Sequence, residues 1–345
     1  MKKRETELDI LRICALLMVI LVHVCGIQIK SLPSTDKNWQ IMLFLRAIAT
    51  WEVPVYIMIS GRFFLDPERN VTFQKIGKSI LRLAVAFVLW DVVYQIYYIA
   101  AGAYTDLNWK GVLSEALVGP YHFWYLWMLI GMYAITPFLR KITQDKKLME
   151  YFIVLFLVFQ FLTEYGPNLP LIGVTLSAIQ SKAPFHFTLG YTGYYILGYY
   201  LYRYQLSDKM EKVLYTVGAF FLITAACANT FRSISEGMEG VWYTQYLRPN
   251  IVIESMAVYT FAVKRLSKIH FSDRMIRWIS TLSDYSFGVY LIHALVIEFY
   301  ARVGLTPTLI NPLIMVPLFT VLVYATSHIA AVFLRKLPCI GKSIT

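Results

Sequence analysis

Charge is scarce in this chain. Asp, Glu, Lys and Arg make up 15% of the 345 residues, against about a quarter in an ordinary soluble domain. Cysteine is scarce too. Cys14, Cys25, Cys227 and Cys339 are scattered with no metal-ligand spacing, which argues against a disulfide scaffold and against a cysteine metal site. No metal is expected. The chain has no P-loop, no dinucleotide fingerprint and no internal repeat, so the common phosphate-cradling enzymes and the solenoids are set aside. Long polar segments are also missing. The largest interruptions are AYTDLNWKGVLSE and the Pro- and Gly-containing YGPNLPLIGVTLSAIQSKAP, too short for a second soluble domain. Residues 1–345 are therefore read as one integral membrane domain. No cleavable signal peptide is expected, because the first apolar stretch is too long for a signal core and carries no small-residue cleavage site.

Apolar sequence is abundant. Hydrophobic residues reach 58% and the mean hydropathy is +0.55. Runs of about 20 apolar residues suffice to cross a bilayer as helices. Ten segments qualify: 8–29, 40–64, 77–101, 122–140, 148–164, 185–203, 211–229, 245–263, 283–301 and 309–334. The expected fold is all-α and polytopic, with about ten transmembrane helices and both termini cytoplasmic. The net charge of +11 follows from this topology. With MKKR inside and sides alternating, most of the 32 Lys and Arg fall at cytoplasmic ends, as the positive-inside rule requires. The basic excess thus orients the chain in a bilayer and does not point to nucleic acid.

Ionisable groups inside lipid are costly and mark cavities or pathways. Arg12 and His23 stand out. They share the first apolar segment, LDILRICALLMVILVHV. Eleven residues at about 100° each bring them to within about 20° on one helix face, about 16 Å apart along the axis. Further polar groups fall on other segments. Arg46 and Glu52 lie on the second, Asp91 on the third, Glu254 on the eighth, His293 and Glu298 on the ninth, and His328 on the tenth; His122 opens the fourth at the outer surface. Together they suggest a polar column across the membrane. Simpler readings stand beside this one. Asp9 and Arg12, at i and i+3, suit an interfacial ion pair. A lone membrane histidine often only bonds between helices. Asp91 and Glu254 suit structural pairing with Arg46 or each other, and His328 suits packing. Ser60, in a Ser-Gly pair, suits a close helix crossing more than ligand binding.

Four stretches in order resemble the acyltransferase 3 family of integral membrane acyltransferases. Arg12 and His23 form its R-x10-H signature. VPVYIMISGRFF (Val53 to Phe64) is similar to its second-span motif. YHFWYLWMLIGMYAITPFL (Tyr121 to Leu139) is similar to its H-x-W-[FY] segment, and SDYSFGVYLIHALVIEF (Ser283 to Phe299) to its late S-x-G-I-Y-x-x-H motif. The chain looks closest to single-domain sugar O-acetyltransferases, which places it in a cell membrane, the cytoplasmic membrane of a bacterium. Arg62 departs from the bulky neutral residue usual after Ser-Gly. No esterase-like domain of the kind found in peptidoglycan-modifying members is visible.

The resemblance implies cytoplasmic acyl-coenzyme A, acetyl-coenzyme A in the simplest case, as co-substrate rather than resident cofactor. The implied acceptor is a hydroxyl of a surface glycan or glycolipid. His23 is then expected as general base or acyl carrier. Arg12 orients the donor, and Arg62, Lys75, Lys78 and Arg82 hold its phosphates at the inner mouth. His122, Trp124, Arg46, Glu52, Ser60, Tyr290 and His293 are expected to line the cavity or meet the acceptor. Two other classes suit the same polar column: a transporter or flippase of a glycan intermediate, and a membrane sensor or binding module.

Overall fold

The computed structural model describes residues 4–102, 111, 116–180, 190–338 and 341. Among these residues the chain is all-helical, with no strand. The helices are α1 (Thr6–Ile29), α2 (Lys37–Ala49), α3 (Glu52–Phe64), α4 (Phe73–Ala100), α5 (Trp124–Ile142), α6 (Lys146–Tyr165), α7 (Gly173–Gln180), α8 (Tyr191–Arg203), α9 (Asp208–Glu236), α10 (Pro249–Lys264), α11 (Asp273–Asp284), α12 (Ser286–Arg302) and α13 (Pro312–Leu334). Among the described residues, six helical segments are long and apolar enough to cross a membrane: α1, α2 with α3, α4, α6, α9 and α13. The other four expected segments contain the shorter helices α5, α8, α10 and α12, of 13 to 19 residues. Residues 185–189 of the sixth expected segment, Cys339 and most of AYTDLNWKGVLSE lie outside the described residues.

Helix starts follow local capping chemistry. Side chains of Asp36, Thr72, Asp145, Ser207, Ser272 and Asn311 each accept a bond from a backbone N–H of the first turn, satisfying donors that a helix leaves open. Pro249 and Pro312 open α10 and α13, where a missing N–H costs nothing.

Two expected segments are broken. Residues 40–64 divide at Thr50 and Trp51 into α2 and α3. Pro54 explains the place. It cannot donate to the carbonyl four residues back, Thr50, and its ring crowds that carbonyl. The ninth segment divides at Tyr285. Ser283 therefore falls in the last turn of α11, a strongly amphipathic helix whose outer face shows Met275 and Trp278. Its first turns also carry Arg274 and Arg277.

Two apolar clusters form the core, and α1 belongs to both. Leu8, Leu11 and Ala15 pack with α3, α6, α8 and α10. Leu16 through Ile29 pack with α2, α4, α5, α12 and α13. The α3–α8 crossing is backbone on backbone. A Cβ at Gly61 would stand 1.8 Å from the Tyr195 carbonyl oxygen, and one at Gly198 would stand 2.0 Å from that of Met58. Gly61→Ala is thus expected to cost about 3 kcal/mol or more, at or beyond the upper end of overpacking penalties. Thermal unfolding of the detergent-purified protein checks this; an unchanged midpoint would refute the backbone contact. The crossing role expected of the Ser60–Gly61 pair accordingly falls on Gly61.

Candidate functional site

One cavity of about 330 Å³ connects most of the expected site residues. Arg12, Val19 and His23 line it from one stripe of α1, in agreement with the helical spacing. Glu52, Tyr56 and Ser60 face it from α3, Trp124 and Tyr125 from α5, Tyr290 from α12, and His122 from the turn before α5. Arg82 and Asp284 stand at the end where α1 begins.

Arg12 is both ion-paired and on the cavity wall. One nitrogen, Nη1, donates to Asp9 Oδ1 at 3.0 Å and to Ser283 Oγ at 2.7 Å. Ser283 donates in turn to the same carboxylate oxygen at 2.7 Å. Asp9 Oδ2 receives Arg4 at 2.5 Å, and Arg4 continues to Asp284 at 2.7 Å. The simple i, i+3 pair is therefore real, and it fixes the guanidinium without removing it from the cavity.

His23 lies in a cluster of rings. Its centroid is 5.2 Å from that of His293, 6.2 Å from His122 and 5.1 Å from Tyr121. His122 and His293 are 5.0 Å apart. His23 keeps some accessible surface because it faces the cavity, whereas His122 and His293 are buried. His122, expected where the fourth segment opens, is buried beneath its neighbours. Tyr94 reaches its Nε2 at 3.5 Å and also bonds the Leu291 carbonyl at 3.0 Å. The Tyr290 hydroxyl donates to the His122 carbonyl at 2.5 Å. His122 Nδ1 and His293 Nε2 are buried without a partner, and His293 Nδ1 bonds the Tyr290 carbonyl. With Nδ1 as the donor to that carbonyl, the neutral ring leaves Nε2 as an acceptor.

The remaining expected residues divide. Glu52 is 1% exposed. Its Oε1 accepts the Tyr246 hydroxyl at 2.8 Å, and its Oε2 has no partner. Trp124 stacks on Tyr246 and stands tilted against Tyr191. Arg46 does not reach this cavity. It pairs with Glu239, not with Asp91 or Glu254, whose bonds go to Gln95 and Asn250. Lys75 and Lys78 are exposed on the first turns of α4, off the cavity wall.

Arg62 is likewise elsewhere. It bonds Asp66 at 2.6 Å and Glu5 at 2.9 Å and lies 3.6 Å over the Tyr202 ring. Burial pushes the Asp66 carboxyl up, but the Arg62 hydrogen bond and the Glu68 N–H outweigh it and hold Asp66 below the usual carboxylate range. Arg69 pairs with the same Glu5 and Asp66, so two arginines and two carboxylates balance and the charge of Arg62 is matched. His328 packs between Tyr285 and Tyr324, as expected.

Sequence reading missed Tyr246, Tyr94, Asp284 and Arg335. Tyr246 fell inside the expected eighth span. It belongs instead to a loop that Asn229, Asn250 and Tyr194 pin by side-chain bonds to Gly240, Tyr243 and Tyr246. Arg335 bonds the Asp284 carbonyl at 3.3 Å, beside the mouth.

A family model described as an acyltransferase domain matches residues 5–334. Relatives include the probable poly-beta-1,6-N-acetyl-D-glucosamine export proteins of Staphylococcus aureus strains MSSA476, MRSA252 and Mu50. Each is 20% identical over 307 residues, covering 86% of this chain and 84% of the relative. No solved structure matches.

Proposed function

The chain belongs to the acyltransferase 3 family, and on that premise we propose that it moves an acyl group, acetyl in the simplest case, from acyl-coenzyme A to a hydroxyl of a glycan. The observation that carries this is the single cavity holding Arg12 and His23 on one stripe with Arg82 at its mouth. The donor is cytoplasmic and the acceptor a cell-surface or lipid-linked glycan. The protein spans the cytoplasmic membrane of a bacterium with both termini inside, and residues 1–345 act as one domain.

Arg82 and Arg335 hold the donor phosphates by charge-assisted bonds, with Lys75 and Lys78 attracting them from the exposed start of α4. Arg62 contributes little here, since its charge is already matched. Arg12 orients the pantetheine arm, and the thioester lies toward His23. The acceptor oxygen bonds to the thioester carbonyl carbon, the C–S bond breaks, and the hydroxyl proton passes to a His23 ring nitrogen and on to the departing thiolate. Transfer through an acyl-imidazole on His23 gives the same products.

The relatives' name supports a second reading, export of a glycan chain. A cavity of about 330 Å³ is at the small end of small-ligand pockets, which favours group transfer over passage of a polymer. Membranes carrying the protein and radiolabelled acetyl-coenzyme A test this. Label is expected in a glycan or lipid-linked fraction. Glycan movement without label transfer would support export instead.

A further inference from the structure

A second cavity of about 340 Å³ lies against the first on the side away from Arg82. The partition is thin. Val22 lines the second cavity and His23 the first; Thr50 lines the second and Glu52 the first; Tyr246 lines both. The Tyr246 hydroxyl is bonded to Glu52 Oε1 at 2.8 Å, and Glu52 Oε2 is buried with no partner.

The lining mixes polar and apolar groups, and its charges are matched. Arg46 pairs with Glu239, and Glu164 with Arg248 at 3.3 Å. An anionic or cationic ligand would have to compete with those pairs. Thr50, Thr244 and Gln245 supply neutral polar groups, and Tyr191 and Tyr246 supply aromatic rings. A hydrocarbon chain would bury the polar groups without bonds. A sugar ring would not: its hydroxyls meet the polar groups and its C–H face meets the aromatic rings.

Resting on the transfer reading above, we propose that this cavity is the subsite for an uncharged sugar ring of the acceptor, whose reacting hydroxyl reaches past Tyr246 toward His23 while a neighbouring hydroxyl of the same ring donates to Glu52 Oε2. The two cavities then divide the substrates, acyl donor on the Arg12 side and sugar on the Tyr191 side, with the histidines at the junction.

Equilibrium binding to the purified full chain tests the subsite without any donor. The probes are radiolabelled methyl N-acetyl-β-glucosaminide, which is uncharged, and methyl β-glucuronide, which is anionic. Saturable binding of the first is expected, with the second at least tenfold weaker. Thr244→Trp fills the cavity and is expected to weaken binding of the first at least tenfold, while Thr244→Ser retains it. If Thr244→Trp does not give monodisperse protein, Val241→Trp at the exposed rim makes the same test. No saturable binding by the wild type, equal binding of both probes, or unchanged binding in the filled variant would overturn the subsite. Failure of the transfer reading shows separately, as absent coenzyme A release by a protein that still binds the neutral probe.

Discussion

His23→Ala is expected to reduce acyl transfer by at least about 10²–10⁴-fold, the range for losing a general base, while the protein still inserts and folds. The second half of that expectation comes from the packing. His23 makes no hydrogen bond among the described residues and faces a cavity, so truncation removes no structural bond and enlarges a space that already exists. His122 and His293 are different. Both are buried within the ring cluster, and their loss would disturb the wall. Membranes with matched protein levels and radiolabelled acetyl-coenzyme A give the rate. Wild-type turnover in His23→Ala would remove His23 from the chemistry and leave the buried histidines or Glu52 as the base. Rapid quenching separates the two forms of the mechanism. An acyl-imidazole leaves label on the wild-type protein and none on the variant; a general base leaves none on either.

The stripe that carries His23 was legible in the sequence because helical periodicity is local. Eleven residues fix the relative angle of two side chains whatever surrounds them. The all-helical fold was legible for the same reason. The partners of those side chains were not, because they come from distant segments and depend on breaks in the helices. Pro54 divides the second segment and puts Glu52 at the start of a helix beside Tyr246. Tyr246 lies on a loop that hydropathy alone merges with α10. Arg46 illustrates the limit most clearly. The apolar segments offer it several acidic partners, and the one it takes is Glu239 in that same loop. Arg62 looked like a phosphate ligand from its position at a basic end, yet Glu5 and Asp66 form a balanced cluster with it and Arg69.

Arg12→Lys is expected to be nearly as damaging as Arg12→Ala, and the reason lies in how the guanidinium is held. A single nitrogen, Nη1, carries both bonds, to Asp9 and to Ser283. The rest of the planar fork is left for whatever occupies the cavity that Arg12 lines. An ammonium keeps the charge but cannot satisfy the Asp9–Ser283 pair and present a second, fixed set of donors at once. Losing hydrogen bonds made by a charged group costs about 1.5–3 kcal/mol, which is about 10–150-fold in binding. The effect is therefore expected mainly in the acyl-coenzyme A KM, with Arg12→Ala also losing turnover through poor positioning of the thioester. Asp9→Asn separates anchoring from contact. It keeps the arginine and the Ser283 bond but weakens the anchor, and so is expected to raise the donor KM less than Arg12→Lys does. Steady-state kinetics over a range of acetyl-coenzyme A concentrations give the comparison. If Arg12→Lys keeps the wild-type KM and kcat, a point charge is enough at this position, and the fork geometry has no part in donor binding.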